Sequence, residues 1–137
     1  MNAQVRPQTR RPQGRQSDSP VSKEVIRRAI KEGDAKALVD TARGIGHRLA
    51  QKGLSTSQIR NVFGEAKRMQ MRGFDPYKFQ LLKPRLAYAA GRHRGAVQDL
   101  RDVLEVAIDA VEDEEEFRRF ADFFEAILAY HREAGGR

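Results

Sequence analysis

The sequence predicts an all-α fold: a compact helical bundle of about five to six helices forming one domain over residues 22–137, preceded by a disordered basic tail over residues 1–21. Three observations carry this. Apolar residues recur at the 3.6-residue period of an amphipathic helix in segment after segment, and no segment shows the period-two alternation of a half-buried strand. Helix start and stop signals punctuate these segments, with Ser, Asp or Pro before them and Gly after. The first 21 residues are rich in Gln, Pro, Arg and Ser and hold almost no bulky apolar side chain, so they cannot bury enough surface to offset the entropy of ordering.

Ser22 is a good N-cap, and Val25, Ile26, Ala29 and Ile30 follow at helical spacing up to the stop at Gly33. Asp34 caps a second helix carried by Ala37, Leu38, Thr41, Ala42, Ile45 and Leu49 and ended by Gly53, although Gly44 and Gly46 weaken its interior. Ser55 and Gln58 make a capping box ahead of a third helix, with Ile59, Val62, Phe63, Ala66 and Met69 on its apolar face and its end near Gly73. Asp75 before Pro76 marks a fourth start, because proline at the first helical position loses only an amide that has no partner there. Pro84 predicts a break just before it, dividing a short helix, Pro76 to Lys83, from another running to about Arg92. Beyond Gly95, Val97, Leu100, Leu104, Ala107, Ile108 and Val111 form one stripe, and Phe117, Phe120, Ala121, Phe124, Ile127, Leu128 and His131 form a second. The acidic run Glu112 to Glu116 sits where the dipole of the last helix favours negative charge.

At 137 residues the chain is long enough for one real hydrophobic core. It has no cysteine, which excludes disulfides and thiolate metal sites, and its three histidines, His47, His93 and His131, are far apart in sequence. The longest apolar runs fall far short of the roughly 20 residues of a membrane span. The N-terminus has positive charge but no apolar core of a secretory signal, so a soluble, cytoplasmic protein is expected. The net charge of +7 is unevenly spread: residues 43–101 carry thirteen bases and three acids, whereas residues 102–137 carry four bases and eleven acids. A basic middle is the electrostatic footprint of a nucleic-acid binder; a solvated mixed-charge surface is the plain alternative.

Catalysis finds little support. There is no glycine-rich phosphate loop, no HExxH and no Gly-x-Ser-x-Gly, and His131 lies on the apolar stripe of the last helix as a core or helix-end residue. Consecutive carboxylates from Asp113 to Glu116 point around a helix instead of converging on a cation, so no metal site and no cofactor are expected.

The basic segments are more informative. On the third helix Arg60, Lys67 and Arg68 cluster roughly opposite Ile59, Val62, Ala66 and Met69. Further on, Arg85, Tyr88 and Arg92 stand at i, i+3 and i+7, while Leu82, Leu86, Ala89 and Ala90 take another side. The planar guanidinium donates two parallel hydrogen bonds to phosphate, and an interleaved aromatic can stack on an unpaired base, a combination suited to single-stranded RNA. For Tyr88, core packing with a satisfied hydroxyl is the first expectation and base stacking the second. Lys83, Arg92 and Arg94 also lie near helix ends, where they can simply complement the dipole.

Three stretches, LSTSQIRNVFGEAKRM (54–69), LLKPRLAYAAGR (81–92) and FRRFADFFEAILAYHRE (117–133), resemble the small subunit of the Csm complex, the type III-A CRISPR interference machine. The resemblance implies a helical subunit present in more than one copy beside the backbone subunits that hold the guide RNA. It implies no nuclease activity of its own, contact with the guide RNA and target RNA, and partnership with the backbone subunits, the large signature subunit and neighbouring copies of itself. Carried onto this chain, the implied RNA contacts are Arg60, Lys67, Arg68, Lys83, Arg85 and Arg92. Residues 1 to about 50 show no firm pattern of that family, which leaves Arg10, Arg11, Arg15 and Arg48 unassigned.

Two other functions stay open at the level of the residues. A helix-turn-helix DNA-binding regulator is consistent with the short link between the second and third helices, with Ser57, Gln58 and Asn61 as base readers. A protein-interaction adaptor would instead pair the basic and acidic parts head to tail between copies.

Overall fold

A computed structural model of the chain describes residues 22–137, and the tail expected over residues 1–21 lies outside the described residues. All regular secondary structure of the described residues is helical, in seven α-helical segments of which six have ten residues or more. In chain order these are α1 (Lys23–Glu32), α2 (Ala35–Gln51), α3 (Arg60–Arg72), α4 (Pro76–Gln80), α5 (Leu82–His93), α6 (Ala96–Ala110) and α7 (Glu114–Glu133), with a 3-10 turn at Thr56–Gln58.

The local signals act as the sequence predicts at most ends. Ser22 accepts a hydrogen bond from the Glu24 amide, and Asp34 accepts one from the Ala37 amide at 3.1 Å. Gly33 closes α1 in the left-handed region at φ 70°, which costs glycine nothing. Asp75 accepts from the amides of Tyr77 and Lys78, with Pro76 at the first position of α4. The capping box is present, but it closes the 3-10 turn: the Ser55 hydroxyl accepts from the Ser57 amide and the Gln58 side chain accepts from the Ser55 amide. Ile59, buried and at φ −124°, interrupts the helix there, and α3 starts one residue later.

The break expected before Pro84 falls at Leu81 instead. Proline is thereby the third residue of α5, within the first turn, where a missing amide leaves no hydrogen bond unmade.

The long helix α7 is the spine. Phe117, Phe120, Ala121, Phe123, Phe124, Ile127 and His131 are all buried along it, and α2 packs against it more extensively than any other pair of helices. Around its first half, rings from three elements interlock: Phe79 of α4 meets Phe117 and Phe120 edge-on at 5.5 and 5.1 Å, Phe74 stacks on Phe117 at 5.2 Å, and Phe63 of α3 meets Phe124 at 5.1 Å. Such pairs contribute about 0.5–1.5 kcal/mol each beyond area burial. They fix α3 and α4 on one flank of α7.

The other flank is tied by α1, where Arg119 reaches from α7 and donates to the carbonyl oxygens of Ile30 (2.9 Å) and Lys31 (3.1 Å), the unpaired acceptors at the end of α1. Lys31 in turn bridges Glu112 (2.8 Å) and Glu116 (3.0 Å), which hold its ammonium pKa above the ordinary value.

Candidate nucleic-acid interface

Helix α3 buries Val62, Ala66 and Met69 and turns Arg60 and Arg68 to solvent. Helix α5 buries Leu82, Leu86, Ala89 and Ala90, which leaves Arg85, Tyr88 and Arg92 exposed on a different side. The two helices pack together, and the seam between them and the 3-10 turn opens into a groove of about 700 Å³. Its lining includes Ser57, Gln58 and Asn61 from the turn and α3, Arg85, Tyr88, Arg92 and His93 from α5, and an apolar floor of Val62, Leu81, Pro84 and Ala89. No carboxylate lines it. Tyr88 is 68% exposed, so the core packing first expected of it does not occur: its position on α5 points it away from the helix's buried face.

The six basic residues divide by what they touch. Arg60 and Arg92 are exposed and meet no acidic side chain among the described residues. Arg68 binds Glu65 at 2.6 Å, and Arg85 approaches the same carboxylate at 3.9 Å. Those two cations, with Arg72, hold the Glu65 carboxyl below its usual range, the hydrogen bond from Arg68 being the largest cause. Lys67 reaches the other way, to Glu125 of α7 at 3.2 Å and over the Phe63 ring at 5.7 Å. Lys83 pairs with Asp109 of α6. The groove therefore gathers Arg85, Tyr88 and Arg92. Arg60 and Arg68 lie on the exposed face of α3, while Lys67 and Lys83 are engaged by acids of α7 and α6.

Some participants escape a reading of the sequence. Arg72 and Lys78 join Arg68 around a second, smaller hollow, signalled only by Arg72 standing four residues after Arg68. His93 joins the groove because α5 runs one residue past Arg92, and the histidine then falls on its wall.

The two remaining histidines are structural. His131 is fully buried, and its Nε2–H donates to the Leu54 carbonyl at 2.7 Å, while Nδ1 has no partner. His47 pairs with Glu133 at 3.1 Å. Among the described residues no group of histidines and carboxylates has the geometry to hold a metal ion, and no helix is long and apolar enough to cross a membrane.

No curated protein and no solved structure matches the chain. The family model Csm2 Type III-A matches residues 32–137, beginning well before the stretches whose resemblance is visible by eye and taking in the whole of α2. A helical bundle of this order matched across α2 to α7 settles the family, and the chain belongs to Csm2 of type III-A, a subunit of the type III-A CRISPR (Csm) complex.

Proposed function

We propose that this chain is a non-catalytic, RNA-binding structural subunit of its complex, which contacts the guide–target RNA region through the α3–α5 face without reading its sequence. One observation carries the reading: Arg92, unpaired among the described residues, stands with Arg85 and Tyr88 along an open groove that no carboxylate lines, and Arg60, also exposed and unpaired among those residues, precedes the lining residue Asn61 at the start of α3. A polyanion meets cations there without first displacing the acids of α6 and α7. Arg68, Lys67, Lys83 and Arg85 take part by exchanging an internal carboxylate for a phosphate, a small cost because exposed ion pairs are worth only about 0–1 kcal/mol. The backbone and large signature subunits and neighbouring copies of the chain complete the setting, in the cytoplasm.

The regulator reading fares worse, since two of its three base readers are spent locally: Gln58 accepts from the Ser55 amide, and the Ser57 and Ser55 hydroxyls bond each other at 2.8 Å.

The test is binding of labelled single-stranded RNAs of unrelated sequence across a salt series, with an Arg60→Ala/Arg92→Ala variant in parallel. Similar affinities, a steep salt dependence and a slope about 1.4 smaller for the variant, roughly 0.7 per lost phosphate contact, are expected. A sharp preference for one duplex sequence overturns the proposal.

A further inference from the structure

We propose that the α3–α5 groove holds the base of one unpaired nucleotide of the RNA bound on this face, so that a strand offering a free base is preferred over one that is fully paired; this rests on the RNA-binding reading above. A surface that only touches phosphates needs cations and little else. This one has more. Its volume of about 700 Å³ falls within the range of small-molecule pockets, roughly 300–1,000 Å³. Its floor of Val62, Leu81, Pro84 and Ala89 is apolar, and two of the four exposed large apolar side chains of the described residues, Leu81 and Tyr88, line this one groove.

The polar groups at its edge fall into two sets. Ser57, Gln58 and Arg85 have partners inside the protein. Asn61, Tyr88, Arg92 and His93 make no side-chain hydrogen bond or ion pair among the described residues, yet all four line the same apolar floor. An apolar slot edged by unused donors and acceptors matches the chemistry of a nucleobase, flat on its faces and polar around its rim.

Each group has a role in that geometry. The Tyr88 ring supplies a stacking face. The Asn61 side chain presents both a donor and an acceptor, so it can meet the rim of any base without strong selection. Arg92 lies one helical turn beyond Tyr88, at i+4 on the same exposed side of α5, close enough to take the phosphate of the nucleotide whose base the ring stacks. In a duplex the base is stacked and paired, and bringing it into the groove costs a few kcal/mol of extrusion, whereas a single strand presents it freely.

The experiment uses the full-length chain and three ligands: a labelled single-stranded RNA, a length-matched abasic ribose–phosphate strand, and a fully paired RNA duplex. The base-bearing strand is expected to bind about 5- to 150-fold more tightly than the abasic strand at equal salt, the ratio that stacking one base on an aromatic ring supports, with equal salt slopes for the two. The duplex should bind no better than the abasic strand. Tyr88→Ala should bring the ratio toward one, and Tyr88→Phe should preserve it. Equal binding of base-bearing and abasic strands, insensitive to Tyr88→Ala but still steeply salt-dependent, overturns the base pocket and leaves the phosphate-binding reading standing. Binding of neither strand at low salt overturns both.

Discussion

Gly46 marks the place where α2 crosses α7. A β-carbon built there stands 2.6 Å from the carbonyl oxygen of Ile127, 2.7 Å from the amide nitrogen of His131 and 2.8 Å from the Tyr130 β-carbon. Two of these atoms are backbone and the third is fixed to it, so no rotamer change makes room and the two helices must separate. Alanine in place of glycine gains about 1 kcal/mol of helix propensity. Overpacking of a tight contact costs about 1–3 kcal/mol or more, and separating the helices also loosens Ile45, Leu49 and Ile127, which are buried nearby. Gly46→Ala is therefore expected to lose roughly 1–2 kcal/mol net. Gly44 provides the control, since it lies two residues away in the same helix with nothing within 4 Å of the added carbon, and Gly44→Ala should gain about 0.5–1 kcal/mol. Urea unfolding followed by far-ultraviolet circular dichroism reads both: at a slope of about 1–3 kcal/mol/M the two midpoints should move in opposite directions, with the slope unchanged. If Gly46→Ala is as stable as the parent chain, or matches Gly44→Ala, the close crossing of α2 and α7 is wrong.

Other substitutions probe separate joints. His131→Leu stays near the buried volume of the imidazole but takes the donor from the Leu54 carbonyl, and should cost about 1–3 kcal/mol in the same unfolding assay. Arg94 closes α5 at φ 40°, where side chains other than glycine are strained, so Arg94→Gly should raise stability by about 1 kcal/mol, measured as a higher melting temperature. Glu65 has its folded pKa lowered by the Arg68 hydrogen bond and the charges of Arg68, Arg85 and Arg72, so its contribution is complete above the ordinary carboxylate value and vanishes as pH falls through the folded pKa. Glu65→Gln should flatten stability across that acidic window and lose less than about 1 kcal/mol at neutral pH, because the pair is partly exposed. The same substitution frees Arg68 and Arg85, so it should tighten RNA binding and steepen its salt dependence; a weaker complex refutes that role for Glu65.

The helix ends were legible because their signals are local. Ser22, Asp34, Gly33, Gly73 and the Asp75–Pro76 pair each answer the hydrogen-bonding needs of backbone groups within one turn, and the chain obeys them. Pro84 misled because proline forbids a helical interior but not a first turn, and the chain slid the break to Leu81 to exploit that. Phe123 escaped the apolar stripe assigned to the last helix because a stripe supposes one buried face. Helix α7 is enclosed on several sides, and Phe123 is fully buried.

By itself the sequence determined the all-α class, the placement of the helices, the basic faces of α3 and α5, and a resemblance that the family match confirms. All of these are read from residues within a turn or two of one another, where helical period and capping chemistry operate. Only the tertiary structure decided which positive charges remain unspent. Lys67 meets Glu125 across 58 positions of the chain, Arg119 finds the carbonyl of Ile30 across 89, and Lys83 meets Asp109, while Arg60 and Arg92 meet no acid among the described residues. The groove likewise belongs to no single segment. It exists because α3 and α5 pack together with their apolar sides inward, α3 held on α7 through Phe63 and Phe124 and α5 held chiefly on α6.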